Sequence, residues 1–189
     1  MRLNTSPRGG DIGSVIRIKG VTKVLTNLNR EIEGIEGRTQ AGLIKASILI
    51  RNETEHGDIK TPVDIGNLRA SFFIVSSTSK VVRGGQNNAR QLMQGSPKFK
   101  GDKADQMMMR HKATMNEMQG KATALSNQKA GPFTILGYTA NYAMWVHEMI
   151  GGNIVFKRAG SGPKWFEYAV KKQKDNIIKV IQENARIKR

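Results

Sequence analysis

The sequence predicts an α+β fold, with helices packed against a small antiparallel sheet. Three observations predict it. Val21, Leu25, Leu28, Ile32 and Ile35 recur at alternating steps of four and three, which is the stripe of an amphipathic helix. The stretches "LRASFFIVSS" and "FTILGYT" are rich in Phe, Ile, Val and Tyr and read as strands. A closing stripe of Phe166, Ala169, Val170, Ile177 and Ile181 follows Pro163, a residue suited to the first turn of a helix. Helix, strand, strand and helix in that order, with no internal repeat, place the helices on one face of the sheet.

Residues 1–18 carry Gly, Ser, Pro and Arg without helical period and read as a flexible arm. Residues 19–189 read as a single domain. Its long N-terminal helix, from about 20 to 56, is expected either as one kinked helix or as two. Gly34 and Gly37 weaken the helix, and the second apolar set, Ile44 and Ile48 beside Leu43 and Ala41, resumes on a shifted phase.

The corner "TPVDIGNLRASF" follows. Pro62 disfavours helical dihedrals at Thr61. Asp64 can accept from backbone N–H groups two residues on, and Gly66 can take a positive φ. Leu68, Phe72 and Ile74 are then expected on one face of the first strand, packed under the helices. Arg69 lies on the opposite side and is left to meet a neighbour.

From 77 to 131 the composition changes. The segment holds six of the nine methionines, and ten Lys/Arg against three acids. So long a stretch is too much for a plain loop, and it reads as an inserted arm, separable from the core. A helix is expected around Asp102–Leu125 with Met108, Met115 and Met118 on one side, and the segment reads equally as a surface that packs on a partner, which adaptable Met suits, or as a floppy, solvated insertion. Its cations Arg83, Arg90, Lys98, Lys100, Lys103, Arg110 and Lys112 are candidates to contact DNA or an acidic protein surface. Order returns with "PFTILGYTANYAMWVHE", in which "NYAMWVHE" reads as a strand end or a short helix. Next, "GGNIVFKRAGSGP" reads as a short strand and a Gly-rich turn. In the last helix, Lys171, Lys172, Lys174, Lys179, Arg186, Lys188 and Arg189 crowd the polar face and the end, where cations suit the helix dipole.

The 189-residue chain carries a formal net charge of +16, more than solubility of a domain this size needs. Such an excess predicts an acidic partner. There is no cysteine, hence no disulfide framework or thiolate metal site. The longest apolar stretch, "LIKASILI", is too short to span a bilayer. No stretch has the form of a signal peptide, which predicts a chain made in the cytoplasm and kept there until used.

Motifs for catalysis are thin. His56, His111 and His147 lie far apart, without metal-ligand spacing, and no P-loop, G-x-S-x-G elbow or G-x-G-x-x-G is found. His147–Glu148 reads as a polar pair closing an element. "DIK", Asp58 to Lys60, matches half of a metal-nuclease signature, without an upstream acidic partner. "RGG" at Arg8–Gly10 and Arg83–Gly85 suits phosphate tracking, but no aromatics are interleaved for stacking. Tyr142 and Trp145 read as core or interface. No cofactor is expected.

Three segments in this order resemble one family. "TPVDIGNLRASF" is similar to its Pro-x-Asp-Thr-Gly-x-Leu-Arg-x-Ser signature, with Ile65 where Thr is usual. "GYTANYAMWVHE" is similar to its Tyr-Ala-x-x-Val-Glu segment, with "HEMIGG" replacing Glu-x-Gly-Thr. "GPKWFEYAVKK" is similar to the start of its last helix, Pro-x-x-Phe-x-x-x-Ala. The family is the tail-component, or tail-completion (neck), proteins of tailed bacteriophages. The resemblance covers roughly residues 20–76 and 132–185 and leaves out the insertion. It implies a non-enzymatic virion protein made in the host cytoplasm. It also implies a ring of identical subunits at the head–tail junction, through which DNA passes. Neighbours would be connector (head-closure) proteins on one side and tail terminator or tail tube proteins on the other. Pro62, Asp64, Gly66 and Leu68 would form the structural turn. Arg69, Met108, Met115, Met118, Tyr142 and Trp145 would face subunits or partners. A tail terminator, a nucleic-acid-binding protein outside the virion and a metal nuclease are the alternatives.

Overall fold

A computed structural model describes residues 21–64, 66–78, 80–84, 102–128, 131–150 and 155–186. Helix α1 runs unbroken from Val21 to His56. It continues through Gly34 and Gly37, although each costs about 1 kcal/mol of helix propensity. The predicted arm at 1–18 lies outside the described residues.

The corner corrects the strand boundary. Gly66 adopts φ 84°, a left-handed conformation that glycine takes without strain. It launches a single helical turn, α2, Asn67–Ala70. Strand β1 therefore starts at Phe72 and ends at Ser76. Leu68 is buried as expected, but from α2 and not from the strand. Strand β2, Val81–Gly84, follows.

Helix α3, Lys103–Asn127, lies within two residues of the span expected inside the insertion. Then come strand β3, Thr134–Tyr138, and a short helix α4, Ala143–Glu148. Among the described residues of 155–163, the expected strand reduces to an isolated bridge between Lys60 and Ser161. The last helix is divided: α5 spans Trp165–Lys172 and α6 spans Lys174–Ala185. At the break, the Gln173 amide donates to Glu53 Oε2 at 2.7 Å.

The sheet has the order β2-β1-β3, antiparallel throughout, with a register shift in β1 between Ile74 and Val75. All five residues of β1 are buried, because it is covered on both faces. The Arg51 guanidinium of α1 sits 4.8 Å from the Phe72 ring centroid, and Ile74 shares that face by strand alternation. On the other face, Phe73 and Val75 pack with Met115 and Ala122 of α3. Helices thus flank the sheet on two sides, where the sequence predicted one.

A third cluster joins Leu68, Ala140 and Trp165. Tyr138 meets Phe72 and Trp165 edge-on, at centroid distances of 5.4 and 5.9 Å. Helices α1 and α6 run antiparallel in close contact. A Cβ added to Gly42 would lie 3.1 Å from the Ile181 Cα, so the absent side chain sets this approach.

Candidate functional site

The corner is built from internal contacts. The Thr61 N–H donates to the Thr54 carbonyl at 2.8 Å, and its hydroxyl lies 3.0 Å from that of Tyr138. Pro62 is buried. The Asp64 carboxylate receives the Lys157 ammonium. These contacts join the end of α1 to β3 and to the loop before α5.

Arg69 is engaged within its own chain. Its guanidinium donates to Glu55, whose side chain is 7% exposed. Arg51 completes the same carboxylate at 2.7 Å, and Arg158 approaches it at 3.6 Å. A buried carboxylate needs such compensation, and the i,i+4 position of Arg51 on α1 supplies it. Arg69 keeps 49% of its side chain exposed, so it serves the pair while lining the surface.

Behind the corner lies a buried polar chain. The amide of Asn67 donates to the Tyr142 hydroxyl at 2.8 Å, and its Oδ1 lies 3.0 Å from His111 Nε2. The His111 Nδ1 lies 2.7 Å from the Thr139 hydroxyl. Burial holds the His111 pKa below the ordinary histidine value, so the ring is held neutral. Burial likewise raises that of the Tyr142 hydroxyl. No sequence motif marked Asn67, His111 or Thr139, because their partners are far away in the chain.

The methionines expected to meet a partner pack inward. Met115 is 4% exposed and belongs to the core. Met118 packs against the same cluster, and Met108 packs beside Ala104 and Ala70. The reason for the first two is the otherwise uncovered face of β1, which Met115 and Met118 fill. The insertion's helix is therefore part of the domain's own core and not a clasp reaching outward.

The cations divide. Lys103, Arg110 and Lys112 are exposed on α3. Arg83 lies in β2, where its backbone registers with Ile74. Arg90, Lys98 and Lys100 lie outside the described residues.

Asp58 of the "DIK" stretch accepts from Tyr168 and from Lys172, both at 2.8 Å. The Lys172 bond holds its carboxyl below the usual range. Lys172 also reaches Glu53 at 3.0 Å, and its pKa is raised by the two carboxylates. His147 Nδ1 and Glu148 pair at 2.8 Å at the end of α4, as expected of a closing pair.

Several large apolar side chains are open as well. Trp145 is 73% exposed and Val155 89% exposed, with Met144, Met149 and Ile150 also exposed nearby in the chain. Beside them is an open groove of about 520 Å³ lined by Pro62, Val63, Leu68, Tyr142, Val146 and Phe156, among others. At Val63 and Lys157 it adjoins a second hollow lined by those two residues with Arg69 and Arg158. Tyr142 thus belongs to the groove wall, and Trp145 stands out beside it.

No family model, curated protein or solved structure matches this chain.

Proposed function

We propose that this chain is a structural virion protein of a tailed bacteriophage, part of the head–tail connector or neck ring, joining the tail to the DNA-filled head. The observation that carries the reading is the set of exposed apolar side chains at the groove, Met149 and Val155 in its wall and Met144, Trp145 and Ile150 next to them in the chain. Large apolar patches on a highly charged protein mark contacts with other proteins. Trp is the side chain most enriched where such contacts carry energy.

The three ordered segments that resemble tail-completion proteins support the same reading. Asp64 and Asn67 of the corner serve an internal pair with Lys157 and hydrogen bonds with Tyr142 and His111, which suits a building part. Subunits in a ring meet by heterologous, head-to-tail contacts. The test is a phage lacking the gene: filled heads and separate tails are expected. Normal particles overturn the reading.

One observation favours nucleic-acid contact as a second reading. Lys103, Arg110 and Lys112 are exposed on α3 of a chain with net charge +16. Backbone contact by such cations weakens steeply with salt, so DNA retention measured against salt tests it. Retention that is absent, or insensitive to salt, rejects it.

A further inference from the structure

Helix α1 extends past the helix that covers it. Gly42 lies against Ile181 and Asn184, in the last turns of α6, and Lys45 donates to Asn184 at 2.7 Å. Residues 23–33, on the far side of that contact, are all exposed. They form a prong of roughly 16 Å at 1.5 Å per residue. Its apolar stripe, Val24, Leu25, Leu28 and Ile32, is exposed along its length, with Leu25 at 52% and Leu28 at 53%.

The prong is also distinct in charge. The chain has 31 Lys/Arg against 15 Asp/Glu, yet within 23–33 Lys23 and Arg30 are balanced by Glu31 and Glu33, and Glu36 follows at the base. The acids lie toward the base of the prong, beyond most of the apolar stripe. The groove has the matching order. Its apolar length, with Leu68, Tyr142, Val146 and Phe156, leads into the hollow of Arg69, Lys157 and Arg158. Around that hollow, Arg69 and Arg158, with the buried Arg51 behind them, surround the single carboxylate of Glu55, and Lys157 pairs with Asp64, which leaves an excess of positive charge.

We propose that the α1 prong of one copy docks in the Trp145 groove of a second copy. Val24, Leu25 and Leu28 take the apolar length, and Glu31 and Glu36, which flank the stripe, meet the arginine-rich end. This is a helix laid in an apolar groove, with steering by complementary charge. The contact uses two different surfaces of one chain and so repeats head to tail. It rests on the ring reading above and names the contact that would build the ring. Pairing two prongs side by side in parallel is a poorer solution. In that register Glu31 of one helix faces Glu36 of the other.

The test uses two full-length variants, each changed at exposed positions. Leu25→Asp with Leu28→Asp spoils the prong, and Trp145→Asp with Val155→Asp spoils the groove. Circular dichroism confirms that both fold. Native mass spectrometry at high micromolar concentration is expected to find oligomers of the parent and monomers of each variant alone. A one-to-one mixture is expected to form heterodimers, because one intact prong and one intact groove remain between them. Oligomers that survive in either variant, or a mixture that stays monomeric, overturn the proposal. A parent chain that is itself monomeric overturns it too. The virion reading stands or falls separately, on the particles made without the gene.

Discussion

Asn67 and His111 meet in the interior, Oδ1 to Nε2 at 3.0 Å, although 44 positions separate them in the chain. The bond ties the corner after α1 to the helix of the insertion. Because the ring is held neutral by burial, the bond couples stability to pH. The folded pKa is lowered, so the unfolded chain takes up the proton first. The contribution is complete above the ordinary value of 6.5 and is lost as pH falls below it toward the folded value. Chemical denaturation of the parent between neutral and mildly acid pH is expected to show this loss. His111→Gln is expected to be less stable at neutral pH and flatter across the same window. A parent curve that is flat there contradicts the coupling.

Met115 is a second link between α3 and the sheet, packing against Phe73 and Val75. Met115→Ala is expected to cost about 2–5 kcal/mol, as for other buried large-to-small changes. Leu68→Ala, at a site of like burial, is expected to cost about the same. Deleting residues 80–128 would remove β2 and uncover one whole face of β1. The deletion is expected to melt the domain, contrary to an insertion separable from the core. A folded deletion variant, with a cooperative thermal transition, would restore that view.

The Glu55 cluster predicts unequal losses from its two ends. Glu55→Ala leaves Arg51 buried without its carboxylate and is expected to cost about 3–5 kcal/mol. Arg69 is half exposed, and exposed ion pairs contribute little, so Arg69→Ala is expected to cost no more than about 1 kcal/mol. Urea titration of the two variants reads the difference. Equal losses would mean that the Arg69 pair matters as much as the buried one.

Gly42 sets how closely α1 and α6 approach. Gly42→Val inserts atoms where a Cβ alone comes within 3.1–3.2 Å of α6. Overpacking of this kind costs about 1–3 kcal/mol, and a lowered thermal midpoint is expected. Gly37 has open space around a would-be Cβ, and Gly37→Ala in the same helix is expected to stabilise by up to about 1 kcal/mol.

The DNA reading has its own measure. Replacing Lys103, Arg110 and Lys112 by Ala is expected to lower the salt slope of DNA binding by up to about 3, since each phosphate left without its cation takes away about 0.9. An unchanged slope would place the DNA on another face of the chain.

The elements most legible in the sequence are those with a long period. The stripe from Val21 to Ile35 and the methionine spacing announce α1 and α3 within a few residues. Gly66 is legible because only a residue without Cβ takes its φ of 84° at ease. The turn α2 is hidden, because "NLRA" before a strand-like run carries no period of its own. The inward packing of Met115 is hidden for another reason. A methionine stripe looks alike whether a partner or the chain's own sheet covers it. The direction of Arg69 is illegible because its partner Glu55 is 14 positions away on another element. Asn67, His111 and Thr139 each look ordinary, and only the fold brings them together. Trp145 stands out in the sequence as a surface candidate, while the groove beside it, drawn from three separate segments, does not.

The antiparallel packing of α1 on α6 bears on how the chain is made. Lys45 and Asn184, which touch, are 139 positions apart. A ribosome therefore releases α1 long before its cover exists. The sheet and α3 can be assembled earlier, but the side of α1 around Gly42 and Lys45 waits bare until the final helix has emerged. Contacts this distant close slowly, and the interval is one in which exposed apolar surface invites misassembly. A chain stopped before residue 174 would have the core strands but no α6 against the Gly42 side of α1, and is expected to be aggregation-prone for that reason.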